Sequence, residues 1–251
     1  MNAFVAHIWR HPIKSHGREE LPEVTLTEGE ALPWDRRWAV AHERSCFDVE
    51  RPRWQPCQEF SIGSKSPRLQ AIRAWVDPTP NRLTLTHPDR PDLTIDPDDS
   101  GDGMRFIQWV MPISNGNRML PARLVRGNQA MTDTDYPSVS IISLASHRAV
   151  EARLGREISP LRWRGNLLLD GWEPWAERAM IGQKLRVGTA ILEIREPIVR
   201  CMATTASTTT GERDADTLGT LKQEIGEQHM GVYAAVISSG TAHQGCAVGA
   251  P

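Results

Sequence analysis

The sequence predicts a mostly β protein of the α+β class, built from barrels and sheets with short helices. Three observations support this prediction. Short runs of β-branched and aromatic residues recur along the chain, clusters of Pro, Gly, Asp and Asn separate them, and only two segments carry a helical pattern. This arrangement differs from the regular alternation of strands and helices that is typical of a parallel α/β sheet.

The first half of the chain is predicted to consist mainly of strands, at Phe4–Trp9, Trp38–His42, Leu69–Val76 and Arg82–Thr86. The run 77–81 between the last two is rich in turn residues and predicts a hairpin. The acidic run 96–103 (DPDDSGDG) is predicted to be an exposed loop. It is not interpreted as a calcium site, because it lacks the closing glutamate of an EF-hand loop and has no flanking helical pattern.

The second half adds strands at Ser138–Ser143, Arg164–Leu169, Lys184–Arg195 and Val232–Ile237. Gly188 marks a turn or bulge within the third of these strands. Two helices are predicted, at 147–154 and 216–228. Ser146 is the expected N-cap of the first helix, and Gly155 is expected to end it.

Composition indicates a cytoplasmic globular protein. Hydrophobic residues make up 39% and charged residues 24%, and the net charge of −2 gives no general attraction to nucleic acid or to anionic membranes. No run approaches the ~18 apolar residues of a membrane span, and Met1–His7 lacks the pattern of a signal peptide. The four cysteines match no zinc or CxxC template. Cys46, Cys57 and Cys246 are interpreted as reduced bystanders, with Cys201 as the exception.

Four segments place charged or polar residues beside turn residues at the ends of strands. In the first, Pro12 stops a strand, and Lys14-Ser15 offer groups that either bind an anion such as phosphate or face solvent. In the second, Asp35 precedes Arg36 and Arg37. Asp35 either forms an exposed ion pair or holds one arginine so that its planar guanidinium faces a phosphate or a pterin.

The third segment carries Arg162, Arg164 and Asn166, which share one face of a strand under period-2 alternation. These side chains either meet water or line a polar pocket. The fourth segment is Arg200-Cys201. The adjacent guanidinium favours the thiolate, which suits a soft metal or persulfide chemistry, and the alternative is a buried, unreactive cysteine.

In this order, the segments resemble the MOSC family, named for the C-terminal domain of molybdenum cofactor sulfurase, with its N-terminal β-barrel domain. The N-terminal motifs are WRHPIKS (9–15), Gly29 and DRRW (35–38). The C-terminal motifs are SLAS (143–146), WRGN (163–166), the glycines at 182 and 188, Arg200-Cys201 and GVY (231–233). The resemblance implies an N-terminal β-barrel-like domain at 1–125 and a MOSC β-barrel with short helices at 126–251.

The resemblance also implies a binding site for the molybdenum cofactor, in which molybdenum is held by molybdopterin. Cys201 matches the cysteine that ligates the metal and is the implied catalytic residue. Further matching positions are implied to contact the phosphate and pterin parts of the cofactor or to line the site: Lys14, Ser15, Arg36, Ser143, Arg164, Asn166, Arg200 and Tyr233.

The family branch that the chain resembles includes the mitochondrial amidoxime reducing component. This implies reduction of small N-hydroxylated compounds such as amidoximes and hydroxylamines. No ferredoxin-like domain is expected in this chain, so the electrons are expected from a separate ferredoxin- or cytochrome b5-like protein and its reductase. Two alternatives stay open: a sulfur carrier with a persulfide on Cys201, and a non-catalytic cofactor-binding protein. The usual terminal Gly-Asp is Gly245-Cys246 here, and a Cys246 thiol close to Cys201 would favour sulfur transfer.

Overall fold

Strands dominate the computed structural model, which describes residues 3–251 and contains three α-helices in that range. The predicted mostly β, α+β fold with a barrel is confirmed. Met1 and Asn2 lie outside the described residues. They belong to the run Met1–His7 that lacks the signal-peptide pattern, and they begin the predicted N-terminal domain. Within residues 3–251, none of the helices has the length and apolar composition needed to span a membrane.

The elements are numbered in chain order. The helices are α1 (Ser100–Val110), α2 (Leu144–Leu154) and α3 (Thr217–Ile225). The strands are β1 (Ala3–Arg10), β2 (Glu19–Leu21), β3 (Glu23–Leu26), β4 (Trp38–His42), β5 (Arg73–Asp77), β6 (Arg82–His87), β7 (Arg90–Ile95), β8 (Pro121–Arg126), β9 (Val139–Ser143), β10 (Leu167–Asp170), β11 (Lys184–Val187), β12 (Ala190–Val199), β13 (His229–Ser238), β14 (Gly240–His243) and β15 (Ala247–Gly249).

Seven strands close into a barrel in the order β10-β9-β13-β12-β11-β15-β1, and pairing of β1 with β10 completes the ring. Alternate side chains of these strands point inward and form a continuous apolar core, for example Val5, Ile141, Leu192 and Val232. Each such fully buried aliphatic side chain contributes roughly 1.5–3 kcal/mol. Because β1 lies in the predicted N-terminal domain, the barrel combines one strand from before the predicted 125/126 boundary with six strands from after it.

A second apolar core lies in the N-terminal half. The sheet β5-β6-β7, the strand pair β4–β8 and helix α1 pack around Trp38, Phe106 and Trp109. The predicted hairpin is confirmed, since Asp77 pairs with Arg82 across the turn. The strand predicted from Leu69 begins only at Arg73, because 67–71 form a 3-10 turn that Pro67 starts.

The loop prediction for the acidic run was wrong for its second half. The loop expected at 96–103 contains the start of α1, and the Asp99 side chain caps it by accepting a hydrogen bond from the Asp102 N–H at 2.9 Å. Asp99 is therefore the N-cap of α1, and Asp102 lies in its first turn. In the second half, α2 ends at Gly155 as predicted but begins earlier, with Ser143 rather than Ser146 as its cap.

The segment before β10 also differs from its prediction. Residues 160–163 form a 3-10 turn, Arg164 has a left-handed backbone with φ of 50°, and the strand begins at Leu167. Arg162, Arg164 and Asn166 therefore do not share a strand face. Gly165 permits this tight path, because a Cβ atom there would lie 2.3 Å from Cγ1 of Ile142.

The remaining predictions for the second half agree with the structure. β11 and β12 form a hairpin that turns at Gly188, and 232–237 lie within β13. Helix α3 is capped by Asp216 and ends at Gly226. The segments that follow β1 and β12 and the segment that precedes β10 carry most of the polar residues of the candidate site.

Candidate functional site

A polar cavity of about 150 Å³ lies between the N-terminal segment 57–64 and the end of β12. Its volume exceeds the ~30 Å³ share of a single water molecule several times, so it has room for an anionic group. Seven of the nine predicted site residues line it: Lys14, Ser15, Arg36, Arg164, Arg200, Cys201 and Tyr233. Residues far apart in the sequence thus line one cavity.

Three of these residues have unusual backbone conformations. Ser15, Arg36 and Arg164 have positive φ values of 65°, 48° and 50°. Such a conformation costs a non-glycine residue about 1–3 kcal/mol and persists only where the surroundings hold it. Here the Arg36 N–H donates to the His11 carbonyl oxygen at 2.7 Å, and the Arg164 N–H donates to that of Leu161 at 3.1 Å. The backbone is therefore shaped at the cavity wall to direct these side chains.

Asp35 and Arg36 form a buried pair, so the interpretation as an exposed ion pair was wrong. The Asp35 carboxylate accepts from the Arg36 guanidinium and, at 2.7 Å, from the His11 backbone N–H. Burial opposes ionisation of Asp35, but the adjacent Arg36 and the hydrogen bonds from His11 together outweigh it and hold the pKa of the carboxyl well below its usual range. Arg36 then donates to the carbonyl oxygen of Arg164 at 3.0 Å. Asp35 thus orients Arg36 toward the cavity.

Lys14 is buried, and its ammonium group is saturated. Nζ donates to the carbonyl oxygens of Met131 at 2.9 Å and Thr132 at 3.2 Å, and to the Asp133 carboxylate. The Asp133 side chain is exposed, yet the protein atoms around it oppose its ionisation, and Lys14 and nearby arginines outweigh this and lower the pKa of the carboxyl. Lys14 therefore contributes charge rather than a free hydrogen-bond donor.

Arg164 has an incomplete set of partners. Its Nη2 donates to the Gly17 carbonyl oxygen at 3.3 Å, whereas Nη1 is buried and has no acceptor among the described residues. Burial lowers the pKa of Arg164 to about 9, and the charges of Arg36 and Arg18 add to the effect. Buried polar groups are almost always paired, and a guanidinium N–H that is free within a cavity suits an anionic ligand.

The charges around the cavity support this inference. Five cationic side chains line it: Lys14, Arg36, Arg162, Arg164 and Arg200. Three carboxylates pair with members of this set: Asp133 with Lys14, Asp35 with Arg36, and Asp214 with Arg162. Within residues 3–251, Arg164 and Arg200 have no carboxylate partner, so the cavity keeps an excess of two positive charges.

Arg200 and Cys201 follow β12 directly. Arg200 donates to the carbonyl oxygens of Trp163 at 2.7 Å and Met230 at 2.8 Å, which fixes the chain next to Cys201. Burial lowers the pKa of Arg200 to about 10. Cys201 itself is exposed on the cavity wall, so the interpretation as a buried, unreactive cysteine was wrong. Its thiol is accessible to a ligand in the cavity.

The other two predicted site residues lie behind the wall or away from it. Asn166 is buried, and its Oδ1 accepts from the Ser140 hydroxyl at 2.7 Å while its Nδ2 donates to the Trp9 carbonyl oxygen at 3.1 Å. It therefore supports the loop that carries Arg164. Ser143 is fully buried as the cap of α2 and is not part of the cavity wall.

The positions of two other cysteines relative to Cys201 were not foreseen from the sequence. Cys246 is buried in the barrel core rather than beside Cys201. Cys57, interpreted from the sequence as a bystander, lines the cavity together with Cys201, and Asp133 and Arg162 also belong to the wall. No sequence signal marks Cys57, because it matches no motif and only the fold brings it to the site.

Two family models match the chain: the MOSC N-terminal beta barrel domain at residues 2–112 and the MOSC domain at residues 128–249. Among solved structures, the YUAD protein from Bacillus subtilis is 11% identical, with 99% of this chain and 94% of that chain covered and a TM-score of 0.47. YiiM from Geobacillus stearothermophilus is 19% identical, with 44% of this chain and 52% of that chain covered and a TM-score of 0.35. No curated protein matches the chain. The two family matches identify a MOSC-domain protein with a MOSC N-terminal beta barrel domain.

Proposed function

We propose that the cavity binds the molybdenum cofactor and that the protein is a molybdenum-dependent oxidoreductase. The observation that carries the proposal is the buried, unpaired Nη1 of Arg164, which lies in a cavity with excess positive charge that also exposes the Cys201 thiol. An anionic group and a soft-metal ligand are thus accommodated in one site. The association of MOSC domains with the molybdenum cofactor gives the same class of ligand.

The residues of the cavity suit the two chemically different parts of this cofactor. Arg164 and Arg36 would hold its anionic phosphate group, with Lys14 adding charge, because guanidinium groups donate paired hydrogen bonds to phosphate. Cys201 would ligate the metal, since thiolate is a soft ligand. Arg200 positions Cys201 through its bonds to the Trp163 and Met230 carbonyl oxygens.

The proposed reaction is reduction of small N-hydroxylated compounds of the amidoxime or hydroxylamine type. When bound, the cofactor would supply the two-electron chemistry that removes the hydroxyl oxygen. Tyr233 would contribute a hydrogen-bond donor: burial and the nearby Asp133 raise the pKa of its phenol well above its usual range, so the group keeps its proton. The electrons would come from a separate ferredoxin- or cytochrome b5-like protein and its reductase, in the cytoplasm.

Access to the site fits a small substrate or an external donor. Val199 and Met202, on either side of Cys201, expose 70% and 46% of their surface. Exposed apolar side chains therefore flank the thiol on both sides along the chain. The presence of Cys57 in the same cavity favours a second candidate function, a sulfur carrier in which Cys201 holds a persulfide.

The test uses protein purified from a host that makes the cofactor. Wild type and the control Cys46→Ala, whose cysteine is exposed and not part of the cavity wall, are expected to contain about one molybdenum atom per chain and to reduce benzamidoxime with an artificial one-electron donor. Cys201→Ala is expected to lose at least 100-fold of this activity. Absence of molybdenum from wild type, or undiminished activity of Cys201→Ala, would contradict the proposal.

A further inference from the structure

Two thiols face one cavity. Cys57 reaches it from the N-terminal half and Cys201 from the end of β12, whereas Cys46 and Cys246 do not line it. Nothing in the proposed cofactor site uses Cys57, since a single cysteine serves as the metal ligand there. The pair therefore requires an explanation of its own, one that does not depend on the proposed function.

The chain segments that follow the two cysteines are held against each other. The Arg213 guanidinium bridges them by donating to the Ser64 carbonyl oxygen at 2.9 Å and to the Met202 carbonyl oxygen. Gln70 adds a bond from its side-chain amide to the Ala203 carbonyl oxygen at 3.0 Å. A Cβ atom on Gly63 would lie 3.4 Å from that of Ala203, which is van der Waals contact. The two walls of the cavity are thus joined directly after Cys201 on one side and at residues 63–70 on the other.

The segment on the other side of Cys57 is irregular. Cys57 begins a 3-10 turn at 57–59, and residues 43–56 before it contain neither helix nor strand. A disulfide requires the two Cα atoms to lie within about 7 Å of each other. The irregular segment before Cys57 allows its backbone to move toward Cys201. Movement of Cys57 would disturb no strand ladder on that side. In addition, the two thiols differ in exposure: Cys201 is exposed, and Cys57 is partly covered.

We propose that, when the cofactor is absent, Cys57 and Cys201 form a reversible disulfide on exposure to a hydroperoxide. The sulfur of the more exposed Cys201 attacks the peroxide, so that an S–O bond forms, the O–O bond breaks and water or an alcohol leaves. The Cys57 sulfur then attacks the sulfenic acid, the S–S bond forms, the S–O bond breaks, and a second water leaves with the Cys57 proton. The two thiols lose two electrons in total, and the hydroperoxide gains them.

This disulfide would protect Cys201 and close the cavity. Without a partner thiol, a sulfenic acid is oxidised further to sulfinic and sulfonic acids, which are not recovered by ordinary thiol reductants. With Cys57 as the partner, a dithiol reductant restores both thiols. An S–S bond across the cavity also removes the thiol that the cofactor would use, so cofactor loading would require the reduced form.

The test uses the full chain purified without cofactor, treated with one equivalent of hydrogen peroxide, alkylated and digested without reduction. Mass spectrometry is expected to find the cross-linked peptide that joins Cys57 and Cys201, and thiol titration is expected to fall by two per chain and recover with dithiothreitol. With two equivalents of peroxide, applied to wild type and variant alike because a sulfinic acid requires two oxidations, Cys57→Ser is expected to give Cys201 sulfinic acid and no cross-link. Cys46→Ser, as the matched control, is expected to retain the 57–201 cross-link.

Two results would overturn the proposal: oxidised wild type without this cross-link, or the same Cys201 oxidation products in wild type and Cys57→Ser. A further variant, Arg213→Ala, removes the bridge between the two walls and is expected to lower the yield of the cross-link at least twofold. None of these readouts involves molybdenum, so their outcomes are independent of the oxidoreductase proposal.

Discussion

The guanidinium of Arg36 donates a hydrogen bond to the main-chain oxygen of Arg164, with 3.0 Å between the two atoms. This bond joins the loop before β4 to the loop before β10, and both residues have positive φ. Two cationic side chains are thereby held side by side, although the charge of Arg36 disfavours that of Arg164. The cofactor-free protein therefore carries an electrostatic strain that a bound anion would relieve.

Replacement of Arg164 by methionine is expected to stabilise the cofactor-free protein. The change removes a charge that burial and Arg36 disfavour, and the free energy of unfolding should rise by about 1 kcal/mol. Molybdenum content is expected to fall at least tenfold in the same variant. Urea unfolding at pH 7 and elemental analysis measure the two effects. Arg186→Met, on an exposed position of β11, should change neither, and a less stable Arg164→Met would contradict the expectation.

Asp35→Asn is expected to destabilise the protein strongly. It leaves the Arg36 guanidinium without its buried carboxylate, and breaking such a pair costs about 3–5 kcal/mol. Asp89→Asn is the control, because the ion pair of Asp89 with Arg68 is exposed and contributes less than about 1 kcal/mol. Denaturant unfolding at pH 7 compares the two variants. Equal losses would show that burial of the Asp35–Arg36 pair has no energetic importance.

The stability of the protein is expected to fall in mild acid because of two buried histidines. Burial lowers the pKa of His11 to about 3, with a contribution from Arg164, and burial lowers the pKa of His16 to about 4. Both stay neutral in the folded state, whereas the unfolded chain binds protons near pH 6.5. Their stabilising contribution is therefore complete above about pH 6.5 and is lost as the pH falls toward 4, by about 1.4 kcal/mol per pH unit for each histidine.

The pH effect is measured by unfolding wild type and His16→Asn in urea at several values between pH 7 and pH 5. The variant should lose the His16 part of the slope and keep that of His11. His243→Asn, at an exposed position, should retain the full slope of wild type. An unchanged slope in His16→Asn would show that His16 binds its proton equally well in the folded and unfolded states.

Gly231→Ala is expected to be far more damaging than Gly226→Ala. Both glycines have a left-handed backbone, with φ of 78° and 76°, so each substitution carries a strain of about 1–2 kcal/mol. At Gly231 the new Cβ would also lie 2.3 Å from the Ile141 carbonyl oxygen, whereas at Gly226 nothing lies within 4 Å. Thermal unfolding should show a drop at Gly231 at least twice that at Gly226. Similar drops would mean that the β9–β13 pairing shifts without cost.

The sequence predicted the elements that local chemistry determines. Strand β4 matches its predicted bounds, and helix α3 lies between a capping Asp216 and a terminating Gly226, because hydrophobic pattern and capping residues act over a few positions. The error at α1 has the same origin. Asp99 favours a turn and a helix N-cap equally, and only packing of Phe106 and Trp109 into the N-terminal core decides between them.

The site was less predictable where it depends on long-range contacts. The ordered motifs pointed to Lys14, Arg36, Arg164 and Cys201, which meet in the cavity. They did not indicate that Lys14 is saturated by main-chain oxygens of 131–132 and by Asp133, since no local pattern links these positions. Cys57 was missed for the same reason, because its place opposite Cys201 arises only when the two halves of the chain pack together.

The pairing of β1 within the barrel has a consequence for how this protein can be divided. Ala3 pairs with Val248 in β15, and Phe4 pairs with Asp170 in β10. A fragment limited to residues 128–249, the part that the MOSC family model matches, would lack the strand that lies between them. Its two unpaired edges would offer free N–H and C=O groups to other chains, which promotes aggregation or strand exchange. The smallest autonomous folding unit is therefore larger than the segment that the MOSC family model matches.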